Sequence, residues 1–305
     1  MTSRAERIDA VGYDYAARKA EPVVRCNLCG SDRLARVTER DRYGYPAGAS
    51  VCEDCSLVFL DPRMDADGYA EFYAKWYRPI VSAYHGREIS AATLPDDQRR
   101  YAASLRDWLG EALAGRAVRS LLDVGGSTGI VAAALRDRFG AEATVLDPSP
   151  EELEVAAALG LRTAAGFVED YAPPAGARFD LVALCQTADH LLDVASALAK
   201  IRELVADDGL FFVDIVDALA VADAKGGLVE AIKVDHPYYF SDATIRAALA
   251  RAGFRVVATR PAADQHLDYL CAPQAAEPGA LPDADVVARD VARIRALAAR
   301  RAGGA

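Results

Sequence analysis

From residue 95 onward, short apolar runs alternate with segments in which apolar residues recur every three or four positions. The runs predict strands, and the periodic segments predict helices that bury one face. In the segment 95–113, for example, Tyr101, Leu105, Trp108 and Leu109 share one helical face. Strands that alternate with helices are typical of a mainly parallel sheet covered on both faces. The pattern therefore predicts an α/β fold with a doubly wound sheet.

Seven strand segments are predicted in this part of the chain. The fourth is followed by a helix that is expected to end at Gly209, and the seventh is expected to close the sheet. The segments that contain the strands are 120–124, 143–147, 161–171, 177–193, 210–218, 241–260 and 266–273.

Four of the six cysteines lie in two pairs before this region, with two residues between the members of each pair. That spacing lets a tight turn aim both sulfurs at one point, and the small residues Gly30 and Ser56 after the pairs suit such turns. Two turns supply the four thiolates of a closed, tetrahedral and therefore structural zinc site. The alternative is two chance pairs of buried thiols. The predicted zinc ligands are Cys26, Cys29, Cys52 and Cys55.

The other two cysteines, Cys185 and Cys271, lie in apolar runs and are predicted to be small buried side chains.

Between the cysteine pairs and the α/β region, five aromatic residues recur at helical spacing. This spacing is typical of core packing, and a lid over a ligand is the alternative. They are Tyr69, Phe72, Tyr73, Trp76 and Tyr77. The chain is thus divided into a zinc module (1–62), an aromatic linker or lid (63–94), the α/β core (95–275) and a linker with a C-terminal helix (276–305).

Composition narrows the class of protein. The 305 residues include 35 Lys and Arg against 45 Asp and Glu, a net charge of −10, and 52% are hydrophobic. These proportions are typical of globular proteins, and the acidity argues against a phosphate backbone as the main partner. The sequence has no apolar run typical of a signal peptide or a membrane span. We therefore predict a cytoplasmic monomer or homodimer with a small-molecule partner and no nucleic-acid or membrane partner.

The most informative stretch is a glycine-rich turn between a strand and a helix, with the sequence Asp123-Val-Gly125-Gly126-Ser-Thr-Gly129. Glycine permits positive φ and lets a ligand approach the backbone. The next strand ends at Asp147, about twenty residues later, where a carboxylate can accept hydrogen bonds from both hydroxyls of a ribose. Turns of this kind serve many nucleotides, but dinucleotides favour a different glycine spacing.

This order of residues resembles motif I of the class I S-adenosylmethionine-dependent methyltransferases, and the chain follows the element order of that family to about residue 273. The resemblance implies a Rossmann-like seven-stranded sheet and S-adenosylmethionine as the cofactor. It implies that the glycines and Asp123 contact the amino-acid portion of the cofactor, that Asp147 binds the ribose, that Phe167 stacks on the adenine and that Gln186 lies at the methionine end. A helix cap at Asp147 and a core position for Phe167 are the alternatives. The other implied cofactor contacts are Pro148, Val168 and Tyr77.

Methyl transfer to a hydroxyl or an acidic C–H group needs a base that works near neutral pH, and histidine suits this role. His190 follows the fourth strand, at the edge of the sheet where ligands bind in open α/β folds. His236 lies in the loop Asp235-His236-Pro-Tyr-Tyr-Phe-Ser241, and Ser241 is expected to cap the next helix. His266 could reach the rim of the site from the last hairpin.

The His236 loop resembles a segment of the zinc-containing deoxysugar C-methyltransferases, which join a small zinc domain to the same core. The resemblance implies that His236 is the base and Asp235 its acidic partner, with His190 as the next candidate. That family continues into a large further domain, whereas only residues 276–305 follow the core here. We therefore predict a hydroxylated small molecule as the acceptor, a sugar or a sugar-containing natural product, with oxygen favoured over carbon as the methylated atom.

Two other functions remain open. Some rRNA methyltransferases also carry a four-cysteine module, so an rRNA or tRNA methyltransferase is one alternative. Arginines do lie in and after the module, at positions 25, 33, 36, 40, 42 and 63, but acidic residues are interspersed among them. The other alternative is a non-catalytic protein that binds the cofactor through the intact glycine turn and Asp147.

Overall fold

A seven-stranded mixed sheet forms the centre of the computed structural model, which describes residues 2–18, 20–89, 95–261 and 265–300. The strands of the chain are β1 (Ala20–Glu21), β2 (Leu34–Thr38), β3 (Ala49–Cys52), β4 (Val58–Leu60), β5 (Arg63–Met64), β6 (Ser120–Val124), β7 (Glu142–Asp147), β8 (Arg162–Ala165), β9 (Phe179–Leu184), β10 (Val205–Val216), β11 (Tyr238–Tyr239), β12 (Phe254–Pro261) and β13 (His266–Pro273). The α-helices are α1 (Arg4–Asp9), α2 (Ala66–Glu71), α3 (Tyr77–His85), α4 (Pro95–Ala112), α5 (Ile130–Phe139), α6 (Pro150–Ala158), α7 (Val194–Leu204), α8 (Ala218–Lys225), α9 (Asp242–Arg251) and α10 (Ala284–Ala299).

The large sheet has the strand order β12-β13-β10-β9-β6-β7-β8. The chain enters at β6, moves outward to β8, and then returns to build the other half from β9. Within this sheet β13 runs antiparallel to both of its neighbours, while β6 to β10 pair in parallel. This arrangement confirms the predicted doubly wound, Rossmann-like sheet, and the reversal of strand order between β6 and β9 marks where ligands bind in such folds.

The two faces of the sheet bury separate groups of apolar side chains. Helices α4, α5 and α6 cover one face, where Leu105 and Leu109 are fully buried on the predicted face of α4. Helices α7 and α9 cover the other face, together with the cysteine pairs. Full burial of one such leucine contributes about 1.5–3 kcal/mol, so these faces fix the position of the strand ends.

One predicted helix end was wrong. The helix expected to end at Gly209 ends at Leu204, and β10 begins at Val205, because Val205 is fully buried and already pairs in parallel with Phe179. The last strand, β13, completes the sheet by lying between β10 and β12. β13 is buried on both faces, whereas β12 alternates between buried and exposed positions, which suits an edge strand.

The N-terminal segment forms a second, four-stranded sheet with the order β11-β4-β3-β2. Three of its strands come from the cysteine-containing segment, but β11 comes from the loop after His236. Residues 1–62 and the α/β core therefore share one sheet. The predicted domain boundaries stay predictions, and the boundary at residue 94 and the end of the predicted tail lie outside the described residues.

The predicted aromatic stripe is helical, with a π-helical turn (Phe72–Trp76) between α2 and α3. Tyr69 and Phe72 are buried, as core packing requires, whereas Tyr73 is 37% exposed. A π turn changes the direction in which the side chains after it point, and such turns recur at functional sites.

Ser241 caps α9 as predicted, since its hydroxyl accepts a hydrogen bond from the backbone N–H of Thr244.

Among the helices in the described ranges, none combines the length and the apolar character that crossing a bilayer requires.

Candidate active site

The carboxyl ends of β6, β7 and β9 meet at one edge of the sheet, and the glycine-rich turn follows β6 there. Gly125, Ser127 and Gly129 have φ angles of 67°, 50° and 75°. A Cβ atom on Gly125 would lie 2.7 Å from the side chain of Thr187. The turn therefore needs glycine both for its backbone conformation and for close packing.

The carboxylate of Asp123 is buried beneath this turn, and neither of its oxygens has a hydrogen-bond partner among the described residues. A Cβ on Gly126 would lie 2.8 Å from that carboxylate, so only bare backbone fits over it. Burial, with the nearby charge of Asp147, raises the pKa of Asp123 to about 7. A buried carboxylate with free lone pairs fits a cationic N–H donor on a ligand.

Asp147 ends β7 beside the turn and is 8% exposed. Its carboxylate accepts hydrogen bonds from the backbone N–H groups of Ser127 and Ser149, each at 2.9 Å. Ser149 rather than Asp147 caps α6. Each carboxylate oxygen keeps a lone pair for a further donor such as a ribose hydroxyl.

The residues predicted at the two ends of the cofactor lie at the same edge. Phe167 follows β8 and is 59% exposed, while Val168 is buried and Pro148 is exposed. An exposed ring at this edge offers a stacking surface. Gln186 follows β9 with a φ of 51°, and its backbone N–H donates to Asp214 at 2.6 Å.

Helix α3 is linked to the glycine turn through Glu152 of α6. Arg78 Nη2 lies 3.1 Å from Glu152 Oε1, and Glu152 Oε2 accepts a hydrogen bond from the hydroxyl of Ser127 at 2.8 Å. Tyr77, which precedes Arg78, packs against Tyr73 with 5.5 Å between ring centroids. The aromatic segment therefore borders the site, and cofactor contact by Tyr77 stays a prediction.

Gly129→Ala is expected to lower the free energy of unfolding by about 3 kcal/mol, because a left-handed φ and a steric overlap add together. The new Cβ would lie 2.4 Å from Leu161 Cδ1 and 3.1 Å from Ala156 Cβ. Gly140→Ala is the matched control, since Gly140 has a φ of 66° and open space around it, and it should cost only about 1 kcal/mol. Urea unfolding measures both, and equal losses would contradict the packing argument.

Two histidines and two aspartates gather beyond the carboxyl end of β9. His236 Nδ1 lies 2.5 Å from Asp189 Oδ2, and His236 Nε2 lies 3.3 Å from Asp235 Oδ2. The rings of His190 and His236 are 4.5 Å apart between centroids. His236 is 6% exposed, whereas the side chain of His190 is 25% exposed. His190 is thus the more accessible ring, and His236 is held between carboxylates.

The hydroxyl of Tyr73 completes this group. It lies 2.5 Å from His190 Nδ1 and donates to the backbone carbonyl of Asp235 at 2.9 Å. Tyr73 therefore joins the aromatic segment to both histidine loops. Lys233 also borders the group, since its Nζ lies 3.8 Å from Asp235 Oδ2.

Burial and charge shift the pKa values of the two histidines in opposite directions. Burial lowers the pKa of His190. Burial also disfavours the charged form of His236, but the carboxylates of Asp189 and Asp235 outweigh it and raise the pKa of His236. Burial opposes ionisation of Asp189 too, yet the positive charge of His236 and its hydrogen bond lower the pKa of that carboxyl. His236 is therefore the stronger base of the pair, and Asp189 stays ionised beside it.

A family model described as a methyltransferase domain matches residues 96–259, which is more than half of the chain. The match spans the glycine turn, the edge carboxylates and both histidine loops. The chain belongs to the class I S-adenosylmethionine-dependent methyltransferases.

Curated relatives and a solved structure agree with this family. The ubiquinone biosynthesis O-methyltransferase of Methylobacterium sp. (strain 4-46) is 33% identical over 184 residues, which are 54% of this methyltransferase and 71% of the relative. The malonyl-[acyl-carrier protein] O-methyltransferase of Geobacter sulfurreducens is 32% identical over 150 residues, 45% of this chain and 56% of the relative. The crystal structure of the PH0226 protein from Pyrococcus horikoshii OT3 aligns with a TM-score of 0.50 at 15% identity, covering 58% of this chain and 91% of that one, and it shows the same fold.

The methyltransferase also brings its four N-terminal cysteines together. All four sulfur atoms lie within 4.8 Å of one another, with 3.5 Å from Cys26 to Cys55 and 3.5 Å from Cys29 to Cys52. Zinc with four sulfurs at about 2.3 Å needs sulfurs roughly 3.8 Å apart. The arrangement is therefore compatible with zinc.

Gly30 and Ser56, which follow the two cysteine pairs, have φ angles of 78° and 62°, so both turns use the left-handed conformation. Cys271 is fully buried in β13, as predicted. The prediction of a buried Cys185 was wrong, because this residue follows the end of β9 and is partly exposed there.

The N-terminal segment of the methyltransferase holds both histidine loops. β11, which begins two residues after His236, pairs antiparallel with β4. Asp41 Oδ2 accepts a hydrogen bond from the backbone N–H of Val234 at 3.0 Å. Asn27, between the first two cysteines, donates to Asp193 Oδ1 at 3.0 Å, just after the His190 loop. The cysteine-bearing segment is thus part of the framework of the active site.

Sequence reasoning missed Asp189, Tyr73 and Lys233 as members of this site. The available signal for Asp189 was an acid directly before His190, but nothing local indicated that it contacts His236. Tyr73 was one of five aromatic residues for which core packing was favoured and a lid over a ligand was the alternative. Its role depends on which helical face meets the histidines, and this is set by tertiary packing.

The remaining histidines lie apart from the cluster. His266 Nε2 lies 3.4 Å from the side-chain nitrogen of Gln186, so it does reach the rim of the cofactor edge. His85 is exposed at the end of α3.

Proposed function

We propose that this enzyme methylates a hydroxyl group of a small molecule, with a sugar or a sugar-containing natural product as the acceptor and His236 as the base. The observation that carries the proposal is His236, which is held between Asp189 and Asp235 and packs against His190 beyond the same strand end that carries Gln186. The relatives described above are named O-methyltransferases, which supports oxygen as the methylated atom.

The cofactor edge fits S-adenosylmethionine. Asp123 has the unpartnered buried carboxylate that an ammonium group requires, and Asp147 has free lone pairs beside the bare glycine backbone. Phe167 offers an exposed ring for the adenine. When bound, the cofactor supplies a methyl group on a positively charged sulfur, which is activated for in-line displacement.

His236 is suited to remove the proton of the acceptor hydroxyl. Asp189 faces Nδ1 and favours the tautomer with the proton on Nδ1, so that the lone pair on Nε2, which faces Asp235, is the proton acceptor. After proton transfer the ring is an imidazolium between two carboxylates, since Nε2 lies 3.3 Å from Asp235 Oδ2. The neighbouring negative charges stabilise that cation.

His190 and Tyr73 are suited to orient the acceptor. The His190 ring is neutral because its pKa is lowered, and it is the more accessible histidine. The hydroxyl of Tyr73 at Nδ1 fixes its rotation. Holding the acceptor oxygen in line with the methyl group is the larger part of catalysis in such a displacement.

The four cysteines would hold a structural Zn²⁺. A site with four thiolates has no open position for substrate, so the ion would stabilise the N-terminal sheet and, through β11, the His236 loop. In this role the zinc ion would take no part in the methyl transfer itself.

Calorimetry with S-adenosylhomocysteine tests the function. We expect micromolar binding by the wild-type chain and at least about tenfold weaker binding by Asp147→Asn, because charge-assisted hydrogen bonds to the ribose are weakened. Asp208→Asn is the matched control, since Asp208 is exposed and lies before the buried part of β10. No binding by the wild type at high micromolar ligand would contradict the proposed function.

A further inference from the structure

A group of cationic side chains lies beside the histidine cluster in a chain whose net charge is −10. Its members come from α1, the turn before β3, the region around the end of α3, the end of α8 and the loop before His236. This cationic cluster consists of Arg4, Arg42, Arg87, Lys225 and Lys233, and the ring of His85 lies among them.

Aromatic rings hold the cluster together. The guanidinium of Arg42 lies 4.8 Å from the ring centroid of Tyr84 and 5.4 Å from that of Tyr43. Arg4 lies 4.5 Å from the same Tyr84 ring, and His85 packs against it with 5.1 Å between centroids. Cation–π contacts thus fix side chains that would otherwise repel one another.

The cluster is continuous with the active site. The backbone N–H of Arg42 donates to Ile232 at 3.0 Å, next to Lys233 in the chain. Lys233 Nζ lies 3.8 Å from Asp235 Oδ2, which lies 3.3 Å from His236 Nε2.

Much of this charge is not neutralised by the protein. Glu230 offsets the positive charge at Lys225, Asp235 and Asp189 offset that at Lys233, and Asp235 also acts on Arg42. Arg42 Nε is buried and has no hydrogen-bond partner in the described chain. Within the described ranges no ion pair is formed by Arg4, Arg42, Arg87 or Lys225.

The pKa shifts agree with crowding of like charges. Burial, and then the charges of Arg42, Arg87 and Lys225, lower the pKa of His85. Burial and the charge of Arg42 also lower the pKa of Lys225. An anion bound among these groups would relieve this repulsion.

We propose that the cationic cluster binds an anionic group of the acceptor, a carboxylate or a phosphate, while the acceptor hydroxyl lies at the histidine pair. The inference rests on the proposed function for the hydroxyl and adds the charge of the substrate class. A neutral acceptor would leave the buried Arg42 Nε without a partner, and such a group costs free energy.

Titration calorimetry tests this with inorganic phosphate and, separately, citrate, added at low ionic strength to the full chain saturated with S-adenosylhomocysteine. We expect one of these anions to bind, and we expect Arg42→Met and Lys225→Met each to weaken that binding by about tenfold, since each removes a charge-assisted contact. Arg116→Met is the matched control, because Arg116 is exposed before β6, at the amino edge of the sheet, and its variant should bind as the wild type does.

Absence of anion binding by the wild type, or equal binding by all three variants, would overturn the inference. Lys225 is exposed at the end of α8, so its variant keeps the test valid even if Arg42→Met does not fold. A single-stranded RNA oligomer that binds far more tightly than either anion, and loses that affinity in Lys225→Met, would also overturn it in favour of a nucleic-acid partner.

The same samples separate this inference from the proposed function. A chain that binds S-adenosylhomocysteine but no anion contradicts only the cationic cluster's role. A chain that does not bind S-adenosylhomocysteine contradicts the proposed function itself.

Discussion

His236→Asn is expected to lower kcat by about 10² to 10⁴-fold while the affinity for S-adenosylhomocysteine stays within about twofold of wild type. Asparagine keeps much of the shape of the ring and fills the gap between Asp189 and Asp235, but it cannot accept the acceptor's proton. The cofactor edge is built by β6, β7 and the glycine turn, whereas His236 contacts Asp189, Asp235, His190 and Tyr239. Release of S-adenosylhomocysteine, measured with a hydroxylated acceptor found by screening, gives kcat.

The pH profile gives this prediction a sharper check. His236 must be neutral to accept a proton, and its pKa is raised, so kcat/KM should rise with pH through an acid limb above the ordinary histidine value of about 6.5. Asp189→Asn removes the negative charge at Nδ1 and should move that limb to lower pH, with a lower plateau because the ring is less well held.

His190→Asn is the comparison variant. It should raise KM and lower kcat through poorer orientation of the acceptor, without moving the acid limb. If His236→Asn instead turns over at nearly the wild-type rate while His190→Asn abolishes turnover, the base is His190 and the assignment of His236 is wrong.

Cys55→Ser is expected to remove the metal, from about one zinc ion per chain to almost none, and to lower the thermal midpoint by about 10 °C or more. Structural zinc contributes apparent binding free energies of about 10–16 kcal/mol in small zinc domains, so loss of one thiolate is severe. Cys55 is fully buried within the core that also contains Phe59 of β4 and Tyr238 of β11. Loss of the metal should therefore loosen the His236 loop as well as the N-terminal sheet.

Elemental analysis, thermal unfolding and S-adenosylhomocysteine calorimetry together measure this effect. In protein that stays folded, cofactor affinity should change much less than kcat, because the cofactor edge belongs to the other sheet. Cys271→Ser is the matched control, since it makes the same chemical change at another fully buried thiol and should keep the metal. A wild-type chain that contains no zinc and is unaffected by a chelator would contradict the zinc proposal.

The cofactor edge could be predicted from sequence because its information is local. Gly125 and Gly129 show their need for positive φ through residue type alone, and Asp147 is marked by its place at the end of an apolar strand. Both cysteine turns were predicted for the same reason, since each pair lies within one tight turn. Residue spacing within a single strand and turn is enough to specify such sites.

The arrangement of the base was not predictable in the same way. Asp189 and His236 belong to different loops, and their 2.5 Å contact depends on the pairing of β11 with β4. Val205 shows the same limit in the fold, because burial against Phe179 overrides a polar sequence that favoured a longer helix. Contacts between distant segments are decided by packing, which a pattern along one segment does not contain.

A crystal structure of the full chain with S-adenosylhomocysteine tests the central claim most directly. The account predicts the adenine against Phe167, the ribose hydroxyls on Asp147, and the sulfur near Gln186 with its open side towards His190 and His236. A ligand bound at that edge whose sulfur faces away from both histidines would contradict the assignment of the base, and a ligand bound elsewhere would contradict the site as a whole.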